Sequence, residues 1–175
     1  FFISEYNWER YLRLNNYFQV RQLMSNINQP TIKSICIADF AGSDSREVVE
    51  VKARAGRGLE GDRYFSSDAP DRTQLTLIES DAIQELNKAL SINLPFTAFR
   101  RNLVSQGVRL NPLVGSRFLI DDVEIEAIEL CEPCAELQNI LGLPGFVKNL
   151  VHKGGLRCRI ISNGVIKKGS VIRTI

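Results

Sequence analysis

The sequence has little net charge, few cysteines, a single histidine and no long apolar run. A net charge of +2 over 175 residues is too small to indicate nucleic-acid binding. No apolar run approaches the ~20 residues that cross a bilayer, so we expect no membrane segment. Four cysteines are too sparse for a disulfide-stabilised secreted domain, and no signal peptide is visible. These absences predict a cytoplasmic protein with free thiols.

Common catalytic signatures are also missing. The sequence has neither a P-loop nor a dinucleotide-binding glycine motif. Because His152 is the only histidine and no Ser-His-Asp arrangement accompanies it, a serine-hydrolase site is not supported. His152 itself is expected at the surface, with a role as base or anion contact as the alternative.

Length and composition are those of one globular domain. A hydrophobic fraction of 44% and a charged fraction of 24% are ordinary values, and 175 residues suffice for one full core. Residues 1–30 differ from the rest, because a cluster of aromatic residues precedes polar residues and Pro30. This pattern predicts a helical extension that packs against a main domain of residues 31–175, with docking to a partner as the alternative.

The main domain is predicted to be mainly β with a few helices. Alternation and β-branched residues indicate strands over 32–38, 47–53, 73–78, 116–120, 123–127, 156–161 and 170–175. Ser80 is expected to cap a helix, and a second short helix is predicted over 135–141. The apolar phase shifts after residue 127, which predicts a β-bulge. Many short strands favour a closed β-barrel over a doubly wound sheet.

Cys131 and Cys134 lie between a strand-like run and the short helical pattern. Pro133 fits the first position of that helix, which would place Cys134 in the first turn. Unpaired N–H groups and the positive end of the helix dipole favour the thiolate form there. We therefore interpret Cys134 as the reactive centre.

Other interpretations of the two cysteines stay open. A zinc site needs about four ligands, which only Cys36, Cys158 or His152 could complete. A thioredoxin-type pair needs a βαβ context that the strand pattern does not predict. A single reactive thiolate requires the fewest assumptions, whereas both cysteines could also be ordinary buried hydrophobes.

Basic residues on loops and strand ends form the second candidate feature. The planar fork of an arginine suits phosphate or carboxylate groups, and Gly154-Gly155 would let the backbone approach a ligand closely. The alternative is a set of solvated surface charges. The residues in question are Arg57, Arg63, Arg100, Arg101, Lys153, Arg157 and Arg159.

Seven short segments, taken in order, resemble the MOSC domain, a family named for the C-terminal domain of molybdenum cofactor sulfurase. The resemblance covers about residues 32–174. The segments are Gly58-Leu59-Glu60-Gly61-Asp62-Arg63, Thr76-Leu77-Ile78, Arg100-Arg101-Asn102-Leu103, Val114-Gly115-Ser116, Cys131-Glu132-Pro133-Cys134, Gly154-Gly155-Leu156-Arg157 and Gly164-Val165-Ile166-Lys167-Lys168-Gly169.

The resemblance implies a closed β-barrel of MOSC type and makes Cys134 the key residue. In reductase-type members the equivalent cysteine ligates molybdenum, and in sulfurase-type members it carries a persulfide. The resemblance further implies binding of the molybdenum cofactor (molybdopterin) through Arg57, Asp62, Arg63, Arg100, Arg101, Asn102, Gly154, Gly155 and Arg157.

Three functions follow as expectations. The first is a molybdenum-dependent oxidoreductase that reduces small N-hydroxylated compounds with an external electron donor protein, and with Asp62 or His152 relaying a proton. The second is a sulfur transferase that holds a persulfide on Cys134, with Cys131 available to resolve it. Because no pyridoxal-phosphate domain is visible, this function needs a partner cysteine desulfurase. The third is a non-enzymatic anion-binding or partner-binding module.

Overall fold

The computed structural model describes residues 29–175. The helix predicted over residues 1–30 falls outside this range, apart from Gln29 and Pro30, which carry no helix. The described elements are β1 (Thr31–Ile37), β2 (Arg46–Val48), β3 (Glu50–Arg54), β4 (Gly58–Leu59), β5 (Leu75–Glu79), α1 (Ser80–Leu90), β6 (Leu103–Gln106), β7 (Arg117–Ile120), β8 (Val123–Leu130), α2 (Ala135–Leu141), α3 (Phe146–Leu150), β9 (Leu156–Ile160), β10 (Gly164–Lys167) and β11 (Ile172–Thr174).

The strands form two sheets. Eight of them follow the order β11-β7-β8-β9-β5-β6-β1-β2, and the other sheet has the order β10-β3-β4. β5 and β6 are parallel and are connected through α1, as a parallel pair requires a crossover. The prediction of a mainly β protein with a few helices is confirmed. None of the described helices has the length and apolarity needed to cross a bilayer.

The prediction of a closed barrel is wrong, because the large sheet is a curled half-barrel. Its edge strands β2 and β11 have only three residues each, so they cannot form a long ladder. Contact across the opening consists of one isolated bridge between Thr31 and Val171 and a few hydrogen bonds, such as Ile32 N to Ser170 O at 2.9 Å. β1 and the residues at the start of β11 approach each other without pairing as strands.

Two apolar clusters hold β5 and β6 from both sides. Leu75, Leu77 and Leu103 face the core enclosed by the two sheets. Ile78 and Val104 face the opposite way and pack with α1, α2 and α3. Burial of each such side chain stabilises the fold by about 1.5–3 kcal/mol. Such burial on both faces is typical of parallel strands.

Several local predictions are confirmed and others are not. The bulge lies between Ala127 and Glu129, where the register of β8 against β9 shifts. The strand predicted over 47–53 is instead divided at the exposed Val49 into β2, which pairs with β1, and β3, which pairs with β10 and β4. The helix cap is Glu79, one residue before the predicted Ser80.

Gly155 allows the loop before β9 to cross close to β5. Its φ is +97°, and a Cβ atom at this position would overlap the carbonyl oxygen of Leu77. The Gly155 carbonyl in turn accepts the N–H of Cys131 at 2.7 Å. This contact joins the cysteine segment to the centre of the large sheet.

We expect Gly155→Ala to destabilise the protein by about 3 kcal/mol, because overpacking adds to the strain of a positive φ. Gly142→Ala is the matched control: its φ is +62°, but nothing lies within 4 Å of the added methyl group. It should cost about 1 kcal/mol. Urea unfolding measures the free energy of unfolding of both variants. Equal losses in the two would contradict the close backbone contact described for Gly155.

Candidate functional site

Cys134 is exposed and caps the N-terminus of α2. Its backbone is extended, with φ −112° and ψ 150°, and its Sγ accepts the N–H of Leu137 at 3.4 Å. The expectation that Pro133 begins the helix is wrong, since the first helical residue is Ala135. The sulfur takes the place that a Ser or Asp oxygen often occupies at an N-cap. The thiol is therefore oriented at a helix N-terminus although it lies outside the helix.

Cys131 has a different environment from Cys134. It is 2% exposed and continues the β8 pairing, since its N–H donates to the Gly155 carbonyl oxygen at 2.7 Å. Burial raises the pKa values of two other thiols, those of Cys36 and Cys158. The CxxC motif thus combines one exposed thiol with one buried thiol.

A protein-only metal site is not supported in residues 29–175. No group of three or more His, Cys, Asp or Glu side chains in this range could hold a metal ion. A zinc site completed by Cys36, Cys158 or His152 would require such a group. The open interpretation of the cysteines as a structural zinc pair therefore has no support in the described part of the chain.

Arg101 lies between the cysteine segment and the glycine loop. Its Nε donates to Gly154 O at 2.9 Å, one terminal nitrogen donates to Cys131 O at 3.0 Å, and the other donates to Phe99 O at 3.3 Å. Across residues 29–175, no carboxylate oxygen lies within 4.0 Å of its guanidinium. A partly buried cation is thus held by carbonyl dipoles and not by an opposite charge.

Neighbouring charges act on Arg101. Burial lowers the pKa of its guanidinium, and the positive charges of Arg157 and Arg63 lower it further. The thiolate forms of Cys131 and Cys134 oppose this shift. The charge of Arg101 therefore lies in a partly buried place next to the cysteine segment, where an anion would be stabilised.

Asp62 and Asn102 belong to a buried polar network. The Asp62 carboxylate accepts N–H groups of Ala38, Tyr64 and the Asn102 side chain, each at 3.2 Å. Asn102 Oδ1 accepts the N–H and the hydroxyl of Thr76 at 3.0 and 2.9 Å. Because these polar atoms already have partners, the network holds the backbone at Asp62, next to Arg63, and at Asn102, next to Arg101.

The two glycines contact the protein's own backbone. A Cβ atom at Gly154 would overlap the carbonyl oxygen of Cys131, just as one at Gly155 would overlap that of Leu77. The groups that approach Gly154-Gly155 closely are therefore the backbones of the cysteine segment and of β5.

The remaining predicted arginines differ in what they contact. Arg157 lies 3.7 Å from the Glu129 carboxylate, and Arg100 donates to Ser43 O at 3.1 Å. Arg57 lies over the Phe65 ring, with its guanidinium carbon 4.9 Å from the ring centroid. Neither of the contacts made by Arg57 and Arg100 is with the cysteine turn.

Sequence reasoning missed the partner of His152. The Glu132 carboxylate accepts the His152 backbone N–H at 2.9 Å and meets the ring Nδ1 at 2.8 Å. These contacts lower the pKa of Glu132, and His152 adopts a φ of +59°. The signal available in the sequence was an acidic residue placed between two cysteines. The pair ties the cysteine segment to the residues that lead into the glycine loop.

We expect iodoacetamide at pH 7 to modify Cys134 alone in the folded protein. Cys36, Cys131 and Cys158 are buried, and reaction requires an accessible thiolate. Intact-protein mass spectrometry should show one adduct before unfolding and four after it. A Cys134→Ala variant serves as the control and should show none in the folded state. More than one adduct on the folded wild type would contradict the burial described above.

Comparisons with known proteins agree with this fold. Solved structures that resemble the chain include the YuaD protein of Bacillus subtilis, at TM-score 0.70 and 18% identity, covering 82% of this chain and 94% of that one. YiiM of Geobacillus stearothermophilus gives TM-score 0.68 and 16% identity, covering 83% and 75%. YiiM of Escherichia coli gives TM-score 0.62 and 19% identity, covering 82% and 69%.

Sequence comparison identifies a family but no individual curated relative. No curated protein matches the chain. The family model of the MOSC domain matches residues 61–173, which is more than half of the sequence and includes the cysteine turn, Arg101 and the glycine loop. The chain therefore belongs to the MOSC domain family.

Proposed function

We propose that this protein binds the molybdenum cofactor with Cys134 as its metal ligand and reduces small N-hydroxylated compounds there. The observation that carries the proposal is an exposed thiol, oriented at an N-cap, beside a partly buried arginine that has no carboxylate partner among the described residues. Such a cation favours an anionic group next to the sulfur, because an unpaired buried charge is costly.

The donor set fits a cofactor that brings most of its own metal ligands. One thiolate is a soft ligand suited to a metal already held by a pterin dithiolene. The described residues contain no three-ligand cluster that would bind a bare ion instead. Arg63, Arg101 and Arg157 supply the positive charge that a cofactor phosphate would need.

The residues of the chain have separate roles in this proposal. The bound cofactor would supply the electrons for cleavage of the N–O bond, after its reduction by an external donor protein. Cys134 would hold the metal, and the arginines would orient the phosphate. His152 is the better of the two proton-relay candidates, because its ring is 73% exposed and its Nδ1 is held by Glu132. Asp62 is 8% exposed as a residue, and its carboxylate already accepts three N–H groups.

Sulfur transfer is the second candidate, and the exposure of the Cys134 sulfur favours it. An accessible thiol at a helix N-cap could accept a persulfide sulfur from a cysteine desulfurase and pass it on. The proposed role of Cys131 in resolving that persulfide has less support, because its side chain is 2% exposed. In the third candidate, a non-enzymatic binding module, Cys134 would carry neither metal nor sulfur.

The main proposal predicts that protein from a host that makes the cofactor contains about one molybdenum per chain. Cys134→Ala should lose the metal, because the variant lacks the ligand. Cys36→Ala is the matched control, since this cysteine is buried in the sheet and should keep the wild-type content. Elemental analysis measures the molybdenum content of the wild type and of the two variants. Full molybdenum retention in Cys134→Ala would refute the ligand assignment.

The two leading functions also predict different masses for the protein after incubation with a sulfur donor. After incubation with a cysteine desulfurase and free cysteine, we expect the cofactor-loaded protein to show no stable sulfur adduct. A one-sulfur adduct that disappears in Cys134→Ala, together with absence of molybdenum from the wild type, would favour sulfur transfer instead. Neither metal nor adduct would leave the binding module as the better account.

A further inference from the structure

A cavity of about 530 Å³ lies beside the start of α1. We propose that this cavity binds a small zwitterion, an α-amino acid with an apolar side chain. Its ammonium group would contact Glu79 and Asp81, and its carboxylate would contact Arg109. His152 is the single wall residue that also has a part in the proposed function, and binding in the cavity does not depend on that function.

The wall of the cavity consists of three chain segments, residues 79–85, 109–112 and 151–153. Glu79 Oε1 accepts the backbone N–H of Leu110 at 2.8 Å, which ties the first segment to the second. Asn111 Nδ2 donates to the carbonyl oxygen of His152 at 2.8 Å, which ties the second to the third. Because these contacts join residues 31 and 41 positions apart, the fold itself fixes the shape of the cavity.

One pair of charges in the wall is already neutralised. Lys153 Nζ lies 2.7 Å from Glu85 Oε2, and this ion pair ties the third segment back to α1. The other three charges have no such partner. Within residues 29–175, no Lys, Arg or His nitrogen lies within 4.0 Å of the carboxylates of Glu79 and Asp81, and no carboxylate oxygen lies within 4.0 Å of the Arg109 guanidinium.

Charges of both signs therefore line one cavity without pairing with each other. The planar fork of a guanidinium suits a carboxylate group. A carboxylate has about four acceptor positions, so Glu79 can receive an ammonium group while it holds the Leu110 N–H. A ligand with one charge would meet only one side of this arrangement, whereas a zwitterion meets both.

The size and the apolar part of the wall fit an amino acid. A volume of about 530 Å³ lies within the range of about 300–1,000 Å³ that is typical of small-molecule sites. Val151 and Pro112 contribute exposed apolar groups to the wall, and Val151 is 45% exposed. Contact with the side chain of the ligand would remove this apolar surface from water, which is favourable.

The test is an NMR titration of the metal-free full chain with L-leucine at constant pH and ionic strength. The backbone amide signals of Leu110, Asn111 and Lys153 should shift and reach saturation. L-leucinamide has only the ammonium group, and N-acetyl-L-leucine has only the carboxylate. Each should bind about tenfold more weakly than leucine, because each lacks one charge-assisted hydrogen-bonding contact.

Variants assign the two ends of the ligand. Arg109→Gln should bind leucine about tenfold more weakly and should no longer distinguish it from leucinamide, because the carboxylate loses its partner. Asp81→Asn should weaken the binding of leucine but leave that of N-acetylleucine unchanged. Both residues are exposed, so the variants should fold. Lys148→Gln is the matched control: it removes an exposed positive charge on α3, outside the wall, and should bind as the wild type does.

Absence of a saturable shift with leucine up to its solubility limit would overturn the proposal. Equal affinities for leucine and leucinamide in the wild type would also do so, because the carboxylate would then have no partner. Unchanged binding in Arg109→Gln, or an equal loss in Lys148→Gln, would show that the ligand is held elsewhere or by the general charge of the surface. Since no metal is present, each of these results is independent of the molybdenum content.

Discussion

The Arg101 guanidinium bonds to three main-chain carbonyl oxygens, and the arrangement of the cysteine turn depends on this contact. Carbonyl dipoles stabilise a partly buried cation without neutralising it, so its charge remains available to a neighbouring anion. The Gly154–Gly155 loop makes the contact possible, because neither glycine leaves room for a Cβ atom against the Cys131 and Leu77 backbones. The same few contacts therefore fix the turn that carries Cys134 and place a positive charge near it.

The sheet explains why these segments meet. β5 is the centre of the arrangement: β9 pairs on one side of it, β6 pairs on the other, and apolar clusters cover both of its faces. The bulge in β8 lies just before the cysteines and changes the register against β9. An open, curled sheet is sufficient for this purpose, since the site lies beside β5, where β8 ends and β9 begins, and not at the opening between β1 and β11.

The sequence predicted the features that have a local signal. Alternating apolar residues located most strands, the phase shift after Ala127 located the bulge, and the Cys134 segment was correctly identified as the approach to a short helix. The contacts of Arg101 with Cys131, of Asp62 with Ala38 and of Asp62 with Asn102 could not be predicted, because each joins residues 24 or more positions apart through a specific side-chain direction. The parallel pairing of β5 with β6 and the opening of the barrel were missed for the same reason, as both depend on long-range pairing.

In this account the protein contributes one thiol, presented on a fixed turn beside an arginine, and the other metal ligands come from the cofactor. X-ray absorption at the molybdenum edge of the loaded protein tests this claim most directly. Comparison of the wild type with Cys134→Ser is expected to show one sulfur ligand replaced by a lighter atom, with the remaining sulfur ligands unchanged. An identical sulfur count in the two proteins would contradict the account, because the metal would then be held without Cys134.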